Sequence, residues 1–203
     1  MVVIGLTGQS GAGKSTVCRM LEQRGCAVLD CDRIARSVTE KGSVCLKELC
    51  RAFGEDILEE NGELNRRKLA GRAFSSRAMT DRLNAITHPY IREKIEDALC
   101  RLRRAGTTAV ILDAPQLFEA GCERYCDRIC VVTAPWEVRL QRLQERDRLP
   151  RDLLEKRMRA QLSEEELRKR AHQWIDGSLP LPEVEKQVEQ CWQSFCPQKT
   201  DSL

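Results

Sequence analysis

The chain has 203 residues, 41% hydrophobic and 32% charged, a composition that excludes a disordered or fibrous protein and suits one core with an appended lobe. A formal charge of +3 over that length excludes the dense basic face of a nucleic-acid binder, and the apolar run 2–6 is far short of a signal core or a membrane span. Eleven cysteines, odd in number and scattered, are expected to be reduced thiols of a cytoplasmic protein. Cys122, Cys126 and Cys130 recur at intervals of four, but a spacing without a C-x-x-C pair or a nearby histidine is a poor zinc site.

In chain order, Val2-Val3-Ile4-Gly5-Leu6 is a short β-branched run that predicts a strand buried on both faces. Gly8-Gln9-Ser10-Gly11-Ala12-Gly13-Lys14-Ser15-Thr16 follows and matches G-x-x-x-x-G-K-[ST] between a strand and a helical pattern. Such glycines let backbone N–H groups curl around a β-phosphate at the positive end of the next helix. Gly11, Ala12, Gly13, Lys14, Ser15 and Thr16 are therefore expected to bind ATP, with Lys14 bridging the β- and γ-phosphates and Ser15 giving a hydroxyl to Mg²⁺. A second strand over 27–29 runs into Asp30-Cys31-Asp32. Strand ends line the ligand crevice of such sheets, so Asp32 is expected to act as base for an acceptor hydroxyl, although either aspartate could cap the following helix.

Residues 42–106 show helical stretches punctuated by Gly54, Gly62, Gly71 and Pro89 and no strand pattern, which predicts an inserted helical lobe. A third strand over 109–112 ends at Asp113, placed like the acidic partner of the metal, though a strand-terminal aspartate often only caps a helix. A fourth strand is expected over 129–132. On the helix after Pro135, Arg139, Arg142 and Arg146 share one face and Trp136, Leu140 and Leu143 another, so the arginine forks are expected to be available to phosphate. Leu149-Pro150 breaks that helix, 151–162 begins a basic one, and Ser163 with Glu166 forms a capping box. Between Arg139 and Arg170 eleven Lys and Arg face seven Asp and Glu, so this lid-like region prefers an anion. Residues 182–192 read as a helix, and the last few residues are expected to fray.

Strands alternating with helices predict an α/β fold, a P-loop kinase-type parallel sheet flanked by helices, with an inserted helical substrate lobe and a basic helical lid. The boundaries expected within this single domain are a core over 1–41, 107–148 and 172–203, a lobe over 42–106 and a lid over 149–171. No N-K-x-D or T-K-x-D tetrapeptide and no second P-loop is present, which favours a small kinase over a guanine-reading switch or a motor. Another small-hydroxyl or nucleoside monophosphate kinase, and a nucleotide-dependent switch, remain the alternatives.

Taken together, these elements resemble the dephospho-CoA kinase family. The resemblance rests on Gly5-Leu6-Thr7-Gly8 with the P-loop, Asp30-Cys31-Asp32-Arg33-Ile34-Ala35-Arg36, Phe53-Gly54-Glu55-Asp56-Ile57-Leu58 with Gly62, and Thr87-His88-Pro89. It continues through Pro115-Gln116-Leu117-Phe118-Glu119, Arg142-Leu143-Gln144-Glu145-Arg146 and the R-x-x-x-Q of Arg157 and Gln161. It implies phosphorylation of the ribose 3′-hydroxyl of dephospho-CoA by ATP, giving coenzyme A and ADP. Asp32 falls on the family's catalytic carboxylate. Lys14 and Arg142 join it in catalysis, Arg142 and Arg146 on the ATP side, while the lobe over 53–88, including His88, holds the acceptor. The implied partners are ATP and dephospho-CoA, with no nucleic acid or membrane, on a monomer or weak homo-oligomer. The chain departs from the family pattern at Gln116, at Asn65-Arg66, and at Ala171-His172-Gln173-Trp174-Ile175-Asp176-Gly177, where A-D-x-V-I-x-N loses its Asp and Asn on the adenine side.

Overall fold

A computed structural model describes residues 1–196; the expected fraying of the last residues falls outside the described residues. In chain order the elements are β1 (Val2–Gly8), α1 (Lys14–Glu22), β2 (Ala27–Asp30), α2 (Cys31–Ser37), α3 (Val44–Phe53), α4 (Arg66–Ala73) and α5 (Arg77–Arg104). They continue with β3 (Ala109–Asp113), β4 (Arg128–Thr133), α6 (Trp136–Asp147), α7 (Arg151–Arg159), α8 (Glu164–Arg170), β5 (Gln173–Asp176) and α9 (Leu181–Phe195). The expected α/β class is the one adopted. No helix among the described residues is long and apolar enough to cross a membrane.

The chain forms two compact units, one of Met1–Leu29 with the chain from Ala105 onward, the other of Asp30–Arg104. The first carries the sheet, in the order β2-β3-β1-β4-β5, with β1 parallel to β3 and β4, and β4 parallel to β5. Alternation sorts its side chains. Ile4, Leu6, Ile111, Cys130 and Val132 share one face and pack with Val17 and Leu21 of α1 and Val184, Val188 and Cys191 of α9, all buried. The opposite face is approached so closely at Gly5 that a Cβ there would lie 2.6 Å from Cys126 Sγ and 2.9 Å from Leu117 Cδ2. The strand Gln173–Asp176 was not foreseen in the sequence: it is four residues long, carries the exposed Trp174, and is flanked by charged helix.

The second unit is helical, as the punctuated pattern over 42–106 predicts. Val38, Leu46, Leu49, Phe53, Ile57, Leu69 and Ala73 form its core. Asn65, at a departure from the family pattern, caps α4 by accepting from Lys68 N at 2.8 Å, and the Arg66 guanidinium donates to Thr39 Oγ1 at 3.1 Å. Gly71 and Pro89 do not break the chain; both lie inside helices, Pro89 within the 28-residue α5. His88 is thus mid-helix and half-buried, not at a helix start as the His-Pro pair suggests.

No disulfide forms among the described residues. Desolvation, reinforced by the neighbouring thiols of Cys196 and Cys18, pushes the Cys26 thiol up to about 12, and desolvation does the same for Cys126. Under native conditions at mildly alkaline pH, iodoacetamide is therefore expected to modify exposed Cys100 well before Cys26 or Cys126, as read by peptide mass; equal rates would contradict the packing described. Leu49 is fully buried, so Leu49→Ala is expected to destabilise the protein by about 2–5 kcal/mol in denaturant unfolding.

Candidate active site

The first turn of α1 is built to receive an anion. Its N-cap, Gly13, is left-handed at φ 101° and offers no side-chain oxygen, so the leading N–H groups are not satisfied by a capping side chain. Upstream, Gly11 has φ 81°, and a Cβ there would sit 2.7 Å from the Arg139 carbonyl oxygen, so the loop can rest on α6 only with glycine at this position. Ala12 N donates to Gln9 O at 3.1 Å and Thr16 N to Gly13 O at 3.0 Å, closing the loop onto the helix.

Lys14, the first helical residue, forms an ion pair with Asp113 at the end of β3, both side chains largely buried. The pairing follows from topology, because Asp113 is the register partner of Leu6 and the loop leaves β1 two residues later. Ser15 lies next to Lys14 and is exposed. A hydroxyl and a carboxylate are hard oxygen donors, and Mg²⁺ takes one or two such protein ligands while phosphates and water complete its shell, so these residues fit that ion. Among the described residues no group of three or more His, Cys, Asp or Glu could cage a metal by itself.

The three arginines of α6 have three different environments. Arg142 donates from Nη1 to Gly11 O at 3.2 Å and from Nη2 to Gly177 O at 2.9 Å, tying the phosphate loop to the loop after β5. Arg146 is exposed and held by Asp147, with Nε to Oδ1 at 2.6 Å, and Arg157 of α7 reaches the same carboxylate at 3.0 Å. Arg139 is not available as its helical spacing suggests. It is buried, with Nε on Ala134 O at 3.0 Å and Nη1 without a hydrogen-bond partner among the described residues, because this turn of α6 lies against the phosphate loop. Burial lowers its pKa, and Trp136 lies 5.5 Å from the guanidinium.

Two contacts to the phosphate loop were missed. Gln9 donates from Nε2 to Leu162 O at 2.9 Å, and Ser10 N donates to Gln161 Oε1 at 3.0 Å, so the turn between α7 and α8 is bonded to the loop. Gln161 belongs to the R-x-x-x-Q element noted in the sequence, but nothing local marks a contact spanning some 150 residues. On the other unit, Asp30 caps α2 by accepting from Arg33 N at 3.0 Å. Asp32, exposed in the first turn, makes no hydrogen bond or ion pair among the described residues.

A left-handed glycine cradle opening a helix, a lysine on its rim and an acid at the end of the neighbouring strand, carried on a sheet of order 2-3-1-4-5, define a P-loop phosphotransferase. The family model for dephospho-CoA kinase matches residues 2–183. A dephospho-CoA kinase of Corynebacterium diphtheriae is 41% identical over 198 residues, covering 98% of this chain and 99% of that protein. A crystal structure from Thermus thermophilus superposes with a TM-score of 0.84 at 35% identity, covering 95% of this chain and 96% of that one. The fold is shared with a dephospho-CoA kinase from Campylobacter jejuni, with a TM-score of 0.70 at 23% identity over 95% of this chain and 96% of that one. The chain belongs to the dephospho-CoA kinase family, transferases that use ATP to phosphorylate dephospho-CoA to coenzyme A.

The Asp147 carboxyl is held below the ordinary carboxylate range, first by its bonds to Arg146 and then by Arg157. A depressed folded pKa contributes stability that is complete above the ordinary carboxylate pKa and is lost as pH falls through the folded value. Asp147→Asn is therefore expected to melt below the wild type at neutral pH, with the difference vanishing in strong acid; a difference that persists there would contradict the clamp.

Proposed function

We propose that this chain transfers the γ-phosphoryl group of Mg·ATP to the ribose 3′-hydroxyl of dephospho-CoA, with Asp32 as the base. The observation that carries the base assignment is the division of labour at the end of β2. Asp30 takes the cap, so the Asp32 carboxylate is exposed and uncommitted, as a general base must be before substrate arrives.

In this mechanism the 3′-oxygen attacks the γ-phosphorus, the bond from that phosphorus to the bridging oxygen of ADP breaks, and the hydroxyl proton passes to Asp32. Lys14 exchanges Asp113 for the β- and γ-phosphates, neutralising charge that would otherwise build on the bridging oxygen. Ser15 and Asp113 would hold Mg²⁺, which would supply Lewis-acid neutralisation of the phosphate oxygens. Backbone N–H groups of Gly11, Gly13, Lys14 and Ser15 cradle the phosphates, while Ala12 and Thr16 keep the loop in shape through their bonds to Gln9 O and Gly13 O. Arg142, anchored on Gly11 O and Gly177 O, orients the donor and takes part in catalysis by holding the phosphate loop in shape. Arg146 reaches the donor by leaving Asp147, and His88 serves the acceptor side. The enzyme is read as cytoplasmic, a monomer or weak homo-oligomer.

The test is coupled ADP release with Mg·ATP and, in turn, dephospho-CoA, adenosine, AMP, shikimate and gluconate, with the product mass checked for one added phosphoryl group. Turnover is expected with dephospho-CoA alone, and Asp32→Asn is expected to lower kcat by about 10²–10⁴ while ADP binding survives. Turnover with a different acceptor overturns the substrate, and an unaffected Asp32→Asn overturns the base.

A further inference from the structure

Beside the phosphate loop the first unit has a cavity of about 290 Å³ lined by Gly13, Thr16, Arg142, Gly177, Leu179, Leu181 and Val184. On the reading proposed above, on which this inference rests, the cavity receives the base of the phosphoryl donor. We propose that it grips the base by stacking and shape without reading its edge, so that the enzyme accepts guanine as well as adenine nucleotides.

The argument is an account of polar groups. One wall is aliphatic, with Leu179, Leu181 and Val184 and the Cβ-less Gly177. Gly177 is required there, since a Cβ would run into the Ala12 carbonyl oxygen and lie 3.1 Å from Val132 Cγ1, and the loop could not then close on the phosphate loop. Any side-chain amide at this position is therefore excluded by the fold of this chain. Polar side chains next to this wall bond to the chain's own loop. The Asp176 carboxylate accepts from Ser178 N at 2.9 Å and from Ser178 Oγ, while Gln187 Oε1 accepts from Asp176 N at 3.0 Å. The Gly177 carbonyl accepts from Arg142, whose two Nη atoms are committed to backbone oxygens.

Among the lining residues the polar side chains are the flat guanidinium of Arg142 and the hydroxyl of Thr16. A guanidinium fixed at both Nη atoms stacks on any heteroaromatic ring. A hydroxyl rotates to donate to a carbonyl or accept from an amino group, so it does not distinguish guanine from adenine. Sites that hydrogen-bond a distinguishing group reject its analogue by roughly 10⁴–10⁵, whereas apolar contact separates close analogues by only about 10–200-fold.

The experiment is calorimetric titration of the full chain with ADP and with GDP, paired with initial rates of ATP- and GTP-driven phosphorylation of dephospho-CoA. Dissociation constants for ADP and GDP within about 100-fold of each other are expected, with kcat/KM for ATP and GTP in the same range. Leu181→Ala, at an exposed position of the wall, is expected to weaken ADP and GDP by a common factor. A preference for adenine beyond about 10³-fold, or a loss confined to one base in Leu181→Ala, overturns the proposal. If both diphosphates bind equally while dephospho-CoA is phosphorylated by neither triphosphate, the inference about the base stands and the substrate reading fails. If neither diphosphate binds, the cavity is not a donor site and the inference falls.

Discussion

A lysine and an aspartate meeting at the mouth of the phosphate loop set the terms for the rest of this structure. The Lys14 ammonium stands where the loop's N–H groups and helix end attract anions, and Asp113 is the anion that meets it. Neither group is placed by chance. Asp113 ends a strand whose register against β1 is carried through to Leu6, and Ala114 N then donates to Leu6 O at 3.0 Å, while Thr7 Oγ1 donates to Pro115 O at 3.1 Å. Lys14 is held by the start of α1, whose Val17 and Leu21 are fully buried in the core. A displacement of β3 by one residue would turn Asp113 to the other face of the sheet.

Around this pair the remaining contacts work on the backbone of the loop. Arg142 ties Gly11 O to Gly177 O, Gln161 accepts from Ser10 N, and α6 presses its Arg139 turn against Gly11. Each fixes a backbone group and leaves the leading amides of α1 unclaimed by a capping side chain. That is the arrangement expected of a site whose main task is to position a polyanion and neutralise it, since phosphoryl transfer asks little covalent chemistry of the protein.

Much of this was legible in the sequence, for identifiable reasons. Four strands were visible because their runs are apolar, as burial on both faces requires of β1, β3 and β4, although the edge strand β2 is only half-buried, and the phosphate loop was visible because its backbone shape demands glycine at fixed spacing. The fifth strand, with Trp174 exposed, carried no such run. Gly71 and Pro89 looked like breaks because local propensity was weighed without tertiary support; α5 continues through Pro89 with Ile95 and Leu99 buried beyond it, and Thr87 Oγ1 donates to Leu83 O at 3.0 Å. Helical spacing put Arg139, Arg142 and Arg146 on one face, but spacing cannot say that the phosphate loop covers the first of them. The same distance in sequence hid Gln161 and Gly177, whose roles exist only after the sheet has formed.

The measurement that bears most directly on the exchange of partners at Lys14 is ADP binding by calorimetry, with and without Mg²⁺, in the wild type and in Asp113→Asn. If Asp113 passes from the lysine to the metal when nucleotide binds, Mg²⁺ tightens ADP binding in the wild type. The variant then loses that increment while its metal-free affinity is no weaker than the wild type's. An Asp113→Asn protein that keeps the full Mg²⁺ increment, or that loses metal-free affinity, would contradict the account.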